Sequence, residues 1–216
     1  MYLDKLESLN QEITALQKNY GLDNRKVEIM VVTKNQSNDT VTQLMEYKHN
    51  YFGENRVDEL KVKKQSFPSA RFAFIAPIQS RKFQTIMDYA DEIHSIRRKK
   101  EIKIMSDSSW DGDYFIQVNI DNDTQKSGVE FAEVAQLIAY AEKEYKLPKG
   151  LMCIRSLSKD SNSSESFEKM KELNKAIKQI YPNYMSKLSM GMSNDYREAI
   201  IYGATVVRIG SKIFGF

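Results

Sequence analysis

The chain has 216 residues, of which 41% are hydrophobic and 28% charged, a composition typical of a soluble globular domain. Its 32 basic and 29 acidic residues leave a net charge of +3, too small a bias to indicate a nucleic-acid-binding protein. A single cysteine excludes an intrachain disulfide, and one cysteine with two histidines cannot form a closed zinc site. No run of 18 apolar residues is present, so we expect no transmembrane helix and no membrane partner.

The opening segment is predicted to form a helix outside the repeating pattern of the rest of the chain. Its apolar residues fall three and four positions apart, which gives one apolar stripe of an amphipathic helix. The stripe consists of Leu6, Leu9, Ile13, Leu16 and Tyr20. Because the segment precedes the first strand and carries early acidic residues, we expect an extra helix of a cytoplasmic protein and not a signal peptide.

Eight segments rich in β-branched or aromatic residues each predict a strand. They are residues 27–33, 51–53, 71–76, 92–96, 114–119, 150–154, 187–190 and 205–209. Helical spacing between strands is clearest over 131–145 and 167–181, where the residues expected to face inward are Val134, Leu137, Ile138 and Ala141, and Met170, Leu173, Ile177 and Ile180. Eight strands alternating with helices favour an α/β fold, a single (β/α)8 TIM barrel domain over residues 1–216, because open sheets usually have about five or six strands.

Two polar segments follow the first two predicted strands, at the end of the barrel where active groups gather. Lys34 ends the sequence VVTK, and partial desolvation at such a position favours a neutral, nucleophilic amine that can form a Schiff base. A surface lysine that extends from the strand end is the alternative interpretation. The second strand ends in FGEN, which predicts Glu54 and Asn55 at the mouth, with Asn55 either a ligand contact or a helix N-cap.

The turns at the last two predicted strands are candidates for binding a phosphate. The segment from Ser189 to Asp195 is a glycine-containing turn with two hydroxyls before a helical pattern, and Gly210-Ser211 follows the last strand. Backbone N–H groups of such turns form the recurring phosphate site of barrels, although Ser193 and Ser211 could instead cap short helices. Together with Lys34, this site would provide what pyridoxal phosphate needs, namely an amine for its aldehyde and an anchor for its phosphate.

Several motifs of the chain resemble those of one known family. FGENRVDEL, FIAPIQSRK, LSMGMSNDYREAI and VVRIGSKIFG occur in this order. Together they resemble the pyridoxal phosphate homeostasis protein family, also called the YggS or proline synthetase co-transcribed family. The resemblance extends from about residue 27 to residue 215. It implies a barrel similar to the N-terminal domain of alanine racemase, a fold-type III pyridoxal enzyme.

The resemblance also implies a role for each candidate site residue. Lys34 matches the family lysine that forms the Schiff base, and Asn55 matches a residue of the cofactor pocket. Five residues match positions around the cofactor phosphate, and they are Ser189, Met190, Gly191, Gly210 and Ser211. Arg208 matches an arginine that faces the pyridine nitrogen. Because arginine stays protonated, the ring nitrogen remains an acceptor and the ring is a weak electron sink.

The chain departs from the family pattern at three places, one of which is Arg155 at the exit of the sixth predicted strand, where small residues are expected. The third-strand loop reads Ala76-Pro77-Ile78, where the family has Gly-His-Leu, so Pro77 replaces the family histidine. Residues 97–100 are four consecutive cations. We interpret them either as a solvated helix face or as a docking site for an acidic partner or a vitamer phosphate.

Two functions of different classes are compatible with this resemblance. The first is a carrier that holds pyridoxal phosphate as a Schiff base and delivers it to apo-enzymes, with no robust catalysis. The second is an amino-acid racemase, which needs acid and base groups on opposite faces of its substrate. In similar racemases the second group, a tyrosine, comes from an added β-domain of a partner subunit, for which this chain lacks the length. We therefore predict a monomeric carrier with, at most, weak side activity through Lys34.

Overall fold

The computed structural model describes residues 2–156 and 163–215, and its central element is a closed barrel of parallel strands. The strands are β1 (Glu28–Val32), β2 (Tyr51–Glu54), β3 (Arg71–Phe74), β4 (Glu92–Ile96), β5 (Asp113–Asn119), β6 (Val129–Glu130), β7 (Gly150–Cys153), β8 (Lys187–Met192) and β9 (Val206–Ile209). They pair in the order β4-β3-β2-β1-β9-β8-β7-β5, and β4 also pairs with β5, which closes the sheet. All eight predicted strands are confirmed. The two-residue strand β6 pairs with β5 outside this ring and is too short for a pattern to predict.

Helices connect the strands and surround the barrel. They are α1 (Tyr2–Asn19), α2 (Asn38–Glu46), α3 (Val57–Ser66), α4 (Phe83–Tyr89), α5 (Lys99–Asp107), α6 (Val134–Glu144), α7 (Ser163–Ile180), α8 (Tyr196–Ile201) and α9 (Ser211–Phe214). The helices predicted over 131–145 and 167–181 correspond to α6 and α7, although residues 131–133 form a 3-10 turn and α7 begins earlier. In the described ranges, no helix is long and apolar enough to cross a membrane.

The extra N-terminal helix is confirmed as α1, which packs against α8 and α9. Its predicted stripe is correct at Leu6, Leu9 and Ile13, which are buried. The stripe is wrong at Tyr20, which follows the helix and is 56% exposed. The predicted inward face of α7 is likewise wrong at Ile180, which is 65% exposed in the last turn. In both helices the apolar spacing continues beyond the last apolar helix residue that packs against the rest of the protein.

The barrel strands have two buried faces of different character. The outer face packs against the helices and forms the main apolar core, which contains the four predicted residues of α6. The inner face has a small apolar group made of Met30, Tyr51, Ala73 and Val206. Beside it lie buried polar side chains, including His94 and Arg208. The centre of the barrel is therefore partly polar, and its polar residues lie directly below the strand ends where a ligand site is expected.

Candidate functional site

A cavity of about 550 Å³ opens at the carboxyl ends of the strands, where a TIM barrel carries its ligand site. Five of the sequence-predicted residues line it, and they are Lys34, Asn55, Arg208, Gly210 and Ser211. These residues come from the ends of β1, β2 and β9, which are neighbours in the barrel. The closure of the sheet therefore brings together residues that are distant in the sequence.

Lys34 lies in the turn after β1, which a buried network below it holds in place. Thr33 is fully buried, and its Oγ1 donates to Glu54 Oε1 over 2.6 Å. The ammonium of Lys63 on α3 donates to the carbonyl of Thr33 and to the same carboxylate oxygen, each over 2.6 Å. On the other side of Lys34, the Asn35 N–H donates to Glu59 Oε2 over 2.8 Å. Thr33 is thus anchored to both β2 and α3, and Asn35 is anchored to α3.

The expectation that Glu54 lies at the mouth is wrong. Its side chain is fully buried on the outer face of β2, where it pairs with Lys63. Burial raises the pKa of Glu54 above its ordinary value, although the neighbouring ammonium opposes this effect. The interpretation of Asn55 as an N-cap is also wrong, because α3 begins at Val57 with Arg56 in the cap position. Asn55 is exposed and lines the cavity.

Arg208 on β9 enters the cavity from the barrel interior and is only 4% exposed. Its Nη1 donates to both the carbonyl and the Oγ of Ser189, over 2.6 and 2.9 Å. Its Nη2 donates to the carbonyl of Cys153 over 2.7 Å. Among the described residues, the Nε–H and the second Nη2 hydrogen meet no acceptor. The guanidinium therefore has a fixed orientation and retains an Nε–H donor and one Nη2–H donor.

The loop after β8 approaches the loop after β9 and supplies backbone donors to the same cavity. The cavity is lined by Met192, the last residue of β8, and by Ser193, Asn194 and Asp195 of the loop. The carboxylate of Asp195 accepts from the Met192 N–H over 2.6 Å and from Arg155 Nε over 2.7 Å, which closes the loop. Ser193 Oγ accepts the N–H of Lys212 over 3.1 Å, which joins this loop to α9.

The remaining sequence-predicted residues do not line this cavity. Ser189 is fully buried in the barrel interior, where it supports Arg208. Met190 is buried in the core between the barrel and the helices. Gly191 lies at an irregularity in the pairing of β8 with β9, has φ +92°, and approaches α8 so closely that a Cβ would lie 2.6 Å from Ala199 Cβ. These three residues support the loop after β8, and the residues that follow them line the cavity.

The sequence predicted a phosphate-binding turn over residues 189–195, but the positions assigned to the phosphate in it were only the first three. Ser193 was interpreted as a hydroxyl of this turn or as a helix cap, and Asp195 belonged to the turn without a role of its own. The structure also places Ile75, Pro77 and Ile154 on the cavity wall. Pro77, which stands where the family has histidine, therefore presents an apolar ring without a side-chain donor to the ligand space.

A second cavity of about 400 Å³ adjoins the first and shares Asn55 and Pro77 with it. Lys82 lines this neighbouring cavity, with its ammonium 3.5 Å from the Asp58 carboxylate. Lys34 lines the main cavity and Lys82 the adjoining one. The two lysines therefore provide a matched pair for testing which amine reacts with a ligand.

The basic run at 97–100 begins α5, with Arg98 in the N-cap position. Cations at this end of a helix are unfavourable because they face the positive end of the helix dipole. Glu101 offsets this effect, since it accepts from the backbone N–H groups of Arg97 and Arg98 and from the Arg98 guanidinium. The side chains of residues 98–100 are exposed. The proposed docking of an acidic partner at this run stays a prediction.

The donor set of the main cavity fits pyridoxal phosphate. Lys34 offers an amine to the aldehyde, and Arg208 offers N–H donors to a ring acceptor. In the described part of the chain, the backbone N–H groups of Ser193, Asn194 and Ser211 have no protein acceptor, and they lie on the two loops that approach each other. Such N–H groups suit the oxygens of a phosphate.

Sequence comparison identifies relatives over nearly the whole chain. Residues 5–216 match the family described as alanine racemase, N-terminal domain. The pyridoxal phosphate homeostasis protein of Vibrio alginolyticus is 33% identical over 225 residues, which cover 97% of this chain and 95% of that protein. The protein of the same name from Caenorhabditis elegans is 30% identical over 234 residues, covering 97% and 92% of the two chains.

Comparison with solved structures shows the same fold. PipY of Synechococcus elongatus with PLP bound superposes with a TM-score of 0.83 at 23% identity and covers 100% of both chains. Alanine racemase from Corynebacterium glutamicum superposes with a TM-score of 0.71 at 11% identity, covering 98% of this chain and 61% of the racemase. Similarity at these identities supports the barrel architecture, while the sequence relatives determine the family. The chain belongs to the alanine racemase N-terminal domain family and, within it, to the pyridoxal phosphate homeostasis proteins.

Proposed function

We propose that this protein binds pyridoxal phosphate covalently through Lys34 and acts in homeostasis of the cofactor, holding it and delivering it to apo-enzymes. One observation carries the proposal: Lys34, Arg208 and the loops after β8 and β9 surround the same cavity. The names of the curated relatives and the PLP-bound structure of PipY support the choice of cofactor. The monomeric state and the cytoplasmic location stay predictions.

When bound, pyridoxal phosphate supplies an aldehyde that condenses with an amine and a ring that withdraws electrons. Lys34 provides the amine, from a turn that Thr33 and Asn35 anchor on both sides. The loop amides around Ser193 and Ser211 bind the phosphate. Arg208 would donate a hydrogen bond to the ring nitrogen and, because a guanidinium retains its proton, would leave that nitrogen unprotonated. With Arg208 in this role, the ring would withdraw electrons only weakly, which would suit storage more than catalysis.

The lining of the cavity favours a carrier over a racemase. Among the described lining residues, the ionisable side chains are Lys34, Asp195 and Arg208. Arg208 does not release its proton. The Asp195 carboxylate is 7% exposed and is held by Arg155 and the Met192 N–H, so it is committed to the loop. Lys34 is then one acid-base group without a second group on the opposite face, which racemisation requires.

The proposal is tested by absorption spectroscopy of the full chain with added pyridoxal phosphate, before and after borohydride reduction. The chain with its native sequence is compared with Lys34→Ala and with the matched control Lys82→Ala. We expect a visible band in the native chain and in the control, its loss in Lys34→Ala, and a reduced adduct on the peptide that contains Lys34. Absence of the band from the native chain, or an adduct on Lys82, would overturn the assignment.

The same samples distinguish the carrier from the racemase when amino acids are added in deuterated water. The carrier interpretation predicts no steady exchange of the amino-acid α-proton, apart from a trace that depends on Lys34. Transfer is measured by mixing the loaded protein with an apo-enzyme that requires the cofactor and following recovery of that enzyme's activity. Multiple-turnover α-proton exchange without such transfer would favour the racemase.

A further inference from the structure

A chain of buried polar side chains crosses the barrel interior below the cavity. It consists of Glu92 and His94 on β4, Ser189 on β8 and Arg208 on β9. His94 Nε2 lies 3.0 Å from Glu92 Oε2, and its Nδ1 lies 2.9 Å from Ser189 Oγ. Ser189 Oγ in turn lies 2.9 Å from Arg208 Nη1. Since β4 and β8 are not neighbours in the sheet, these contacts span the inside of the barrel.

Glu92, at one end of this series of polar side chains, is an ionised carboxylate. Burial alone would raise the pKa of Glu92, but its donors His94 and Lys149 outweigh this effect and hold the pKa well below its ordinary value. Lys149 donates to Oε1 over 2.7 Å, and the Tyr51 hydroxyl donates to Oε2 over 2.5 Å. Glu92 therefore acts only as an acceptor toward His94.

His94 is a neutral imidazole in this environment. The ring is fully buried and lies 4.0 Å, centroid to centroid, from the ring of Phe115. Burial lowers the pKa of His94 below its ordinary value, the nearby charges of Arg208 and Lys149 act in the same direction, and Glu92 opposes them. Since Glu92 is an acceptor, Nε2 carries the single ring proton and Nδ1 presents a lone pair.

This tautomer fixes the direction of the remaining hydrogen bonds. Ser189 has one hydroxyl proton, which it donates to the lone pair of His94 Nδ1. The Ser189 oxygen then presents its lone pairs to Arg208 Nη1, which also donates to the Ser189 carbonyl. A ring protonated at Nδ1 would instead direct a second donor at the same oxygen, opposite Arg208. The hydrogen bonds therefore run from Arg208 to Ser189, from Ser189 to His94 and from His94 to Glu92 only when the His94 ring is protonated at Nε2.

We propose that His94 is a positioning residue for the bound cofactor. As the Nε2–H tautomer, His94 orients the Ser189 hydroxyl. That hydroxyl holds the Arg208 guanidinium with its Nε–H and second Nη2–H toward the cofactor ring. This inference rests on the proposed function, because it concerns how Arg208 meets pyridoxal phosphate. It adds to that function a residue that does not line the cavity. The ionised Glu92 fixes the tautomer from the opposite side of the ring.

The tautomer is tested directly by nitrogen-15 NMR of the native chain. The sequence contains two histidines, so a His49→Asn variant assigns the His94 signals by elimination. We expect the pair of ring nitrogen shifts of a neutral imidazole protonated at Nε2. The shifts of an imidazolium, or of a ring protonated at Nδ1, would overturn the proposal. This measurement does not require that any His94 variant folds.

The effect on the cofactor is tested with three variants in the interior chain. His94→Phe keeps a flat ring against Phe115 but removes both nitrogens, and Ser189→Ala removes the middle link. His94→Asn retains an acceptor near the position of Nδ1. We expect the dissociation constant for pyridoxal phosphate to rise about tenfold in His94→Phe and in Ser189→Ala, with a shifted visible band, and His94→Asn to recover part of both effects. A tenfold change corresponds to about 1.4 kcal/mol of binding free energy.

The double variant His94→Phe with Ser189→Ala provides the decisive comparison. If the two residues act through the same series of hydrogen bonds, the double variant binds pyridoxal phosphate about as weakly as either single variant. Independent, multiplicative losses, or single variants that bind within about twofold of the native chain with an unchanged band, would overturn the inference. Failure of the proposed function has a different signature, because the native chain itself would then show no band.

Discussion

The ammonium of Lys63 lies 2.6 Å from the main-chain carbonyl of Thr33, the residue that precedes Lys34. The same ammonium lies 2.6 Å from the buried carboxylate of Glu54. A lysine of α3 therefore fixes the turn that presents the proposed reactive lysine, although it lies outside the main cavity itself. The two lysines at this strand end therefore have different roles. Lys63 is buried and structural, and Lys34 borders the ligand space.

Replacement of Lys63 by methionine should destabilise the protein by about 3–5 kcal/mol, because Glu54 would remain buried without its cation. Urea denaturation measures the free energy of unfolding. The control is Lys64→Met, which breaks a partly exposed pair with Asp91 and should cost at most about 1 kcal/mol. A Lys63→Met, Glu54→Leu double variant should recover much of the loss, since it removes both charges. A small loss in Lys63→Met alone would contradict this account of the turn.

Substitution of alanine for Gly191 should disrupt the loop after β8. The backbone has φ +92°, and a Cβ would lie 2.6 Å from Ala199 Cβ, so we expect a loss of about 3 kcal/mol. Gly21→Ala is the matched control, because Gly21 has φ +65° but no atom within 4 Å of its Cβ position, and about 1 kcal/mol is expected. Equal losses in thermal or urea denaturation would show that close packing on α8 contributes nothing.

Asp195→Ala should weaken binding of pyridoxal phosphate about tenfold while leaving the position of the visible band unchanged. The carboxylate closes the loop by accepting from Met192 N–H and Arg155, whereas Lys34 and Arg208 are not altered. Because this loop binds the phosphate in our proposal, pyridoxal without phosphate should lose much less affinity. Titrations with both compounds provide the measurement, and equal losses for the two would contradict a phosphate role for the loop.

The contact between α1 and α8 should make stability depend on pH in the acid range. Hydrogen bonds from Tyr196 and Arg197 lower the pKa of Glu12 to about 2, from 4.5. A carboxyl with a lowered folded-state pKa stabilises the protein above the unfolded value, and this contribution is lost as pH falls from 4.5 to about 2. We expect it to be about 1 kcal/mol, because the Glu12 side chain is 30% exposed and solvent weakens the pair.

This dependence is measured by urea denaturation of the native chain and Glu12→Gln at pH 6 and pH 3. The native chain should lose about 0.6 kcal/mol more than the variant between these values, because pH 3 lies only part of the way from 4.5 to the folded-state pKa of about 2. Glu142→Gln, which changes an exposed glutamate on α6, should follow the native chain. Parallel pH profiles for the native chain and Glu12→Gln would contradict the assignment.

Much of the fold was predictable because its signals are local. Short β-branched runs alternate with amphipathic helices, so the eight barrel strands and the helix α1 could be recognised from spacing alone. Lys34, Asn55 and Arg208 lie at or near predicted strand ends, which meet at one mouth of a barrel, and the family resemblance assigned them to one cofactor site. These inferences needed no knowledge of which side chains touch.

Only the tertiary structure shows whether a given strand side chain lies on the inner or the outer face of the barrel. A strand of a parallel barrel is buried on both faces, so its sequence lacks the polar-apolar alternation that would reveal the inner face. Glu54 was therefore expected at the mouth but lies against Lys63, and Glu92 and His94 gave no signal of their place in the barrel interior. The sequence by itself determined the barrel and the composition of its mouth. Closure of the sheet determined which polar groups meet across its centre, because those contacts join strands that are neighbours neither in the sequence nor in the sheet.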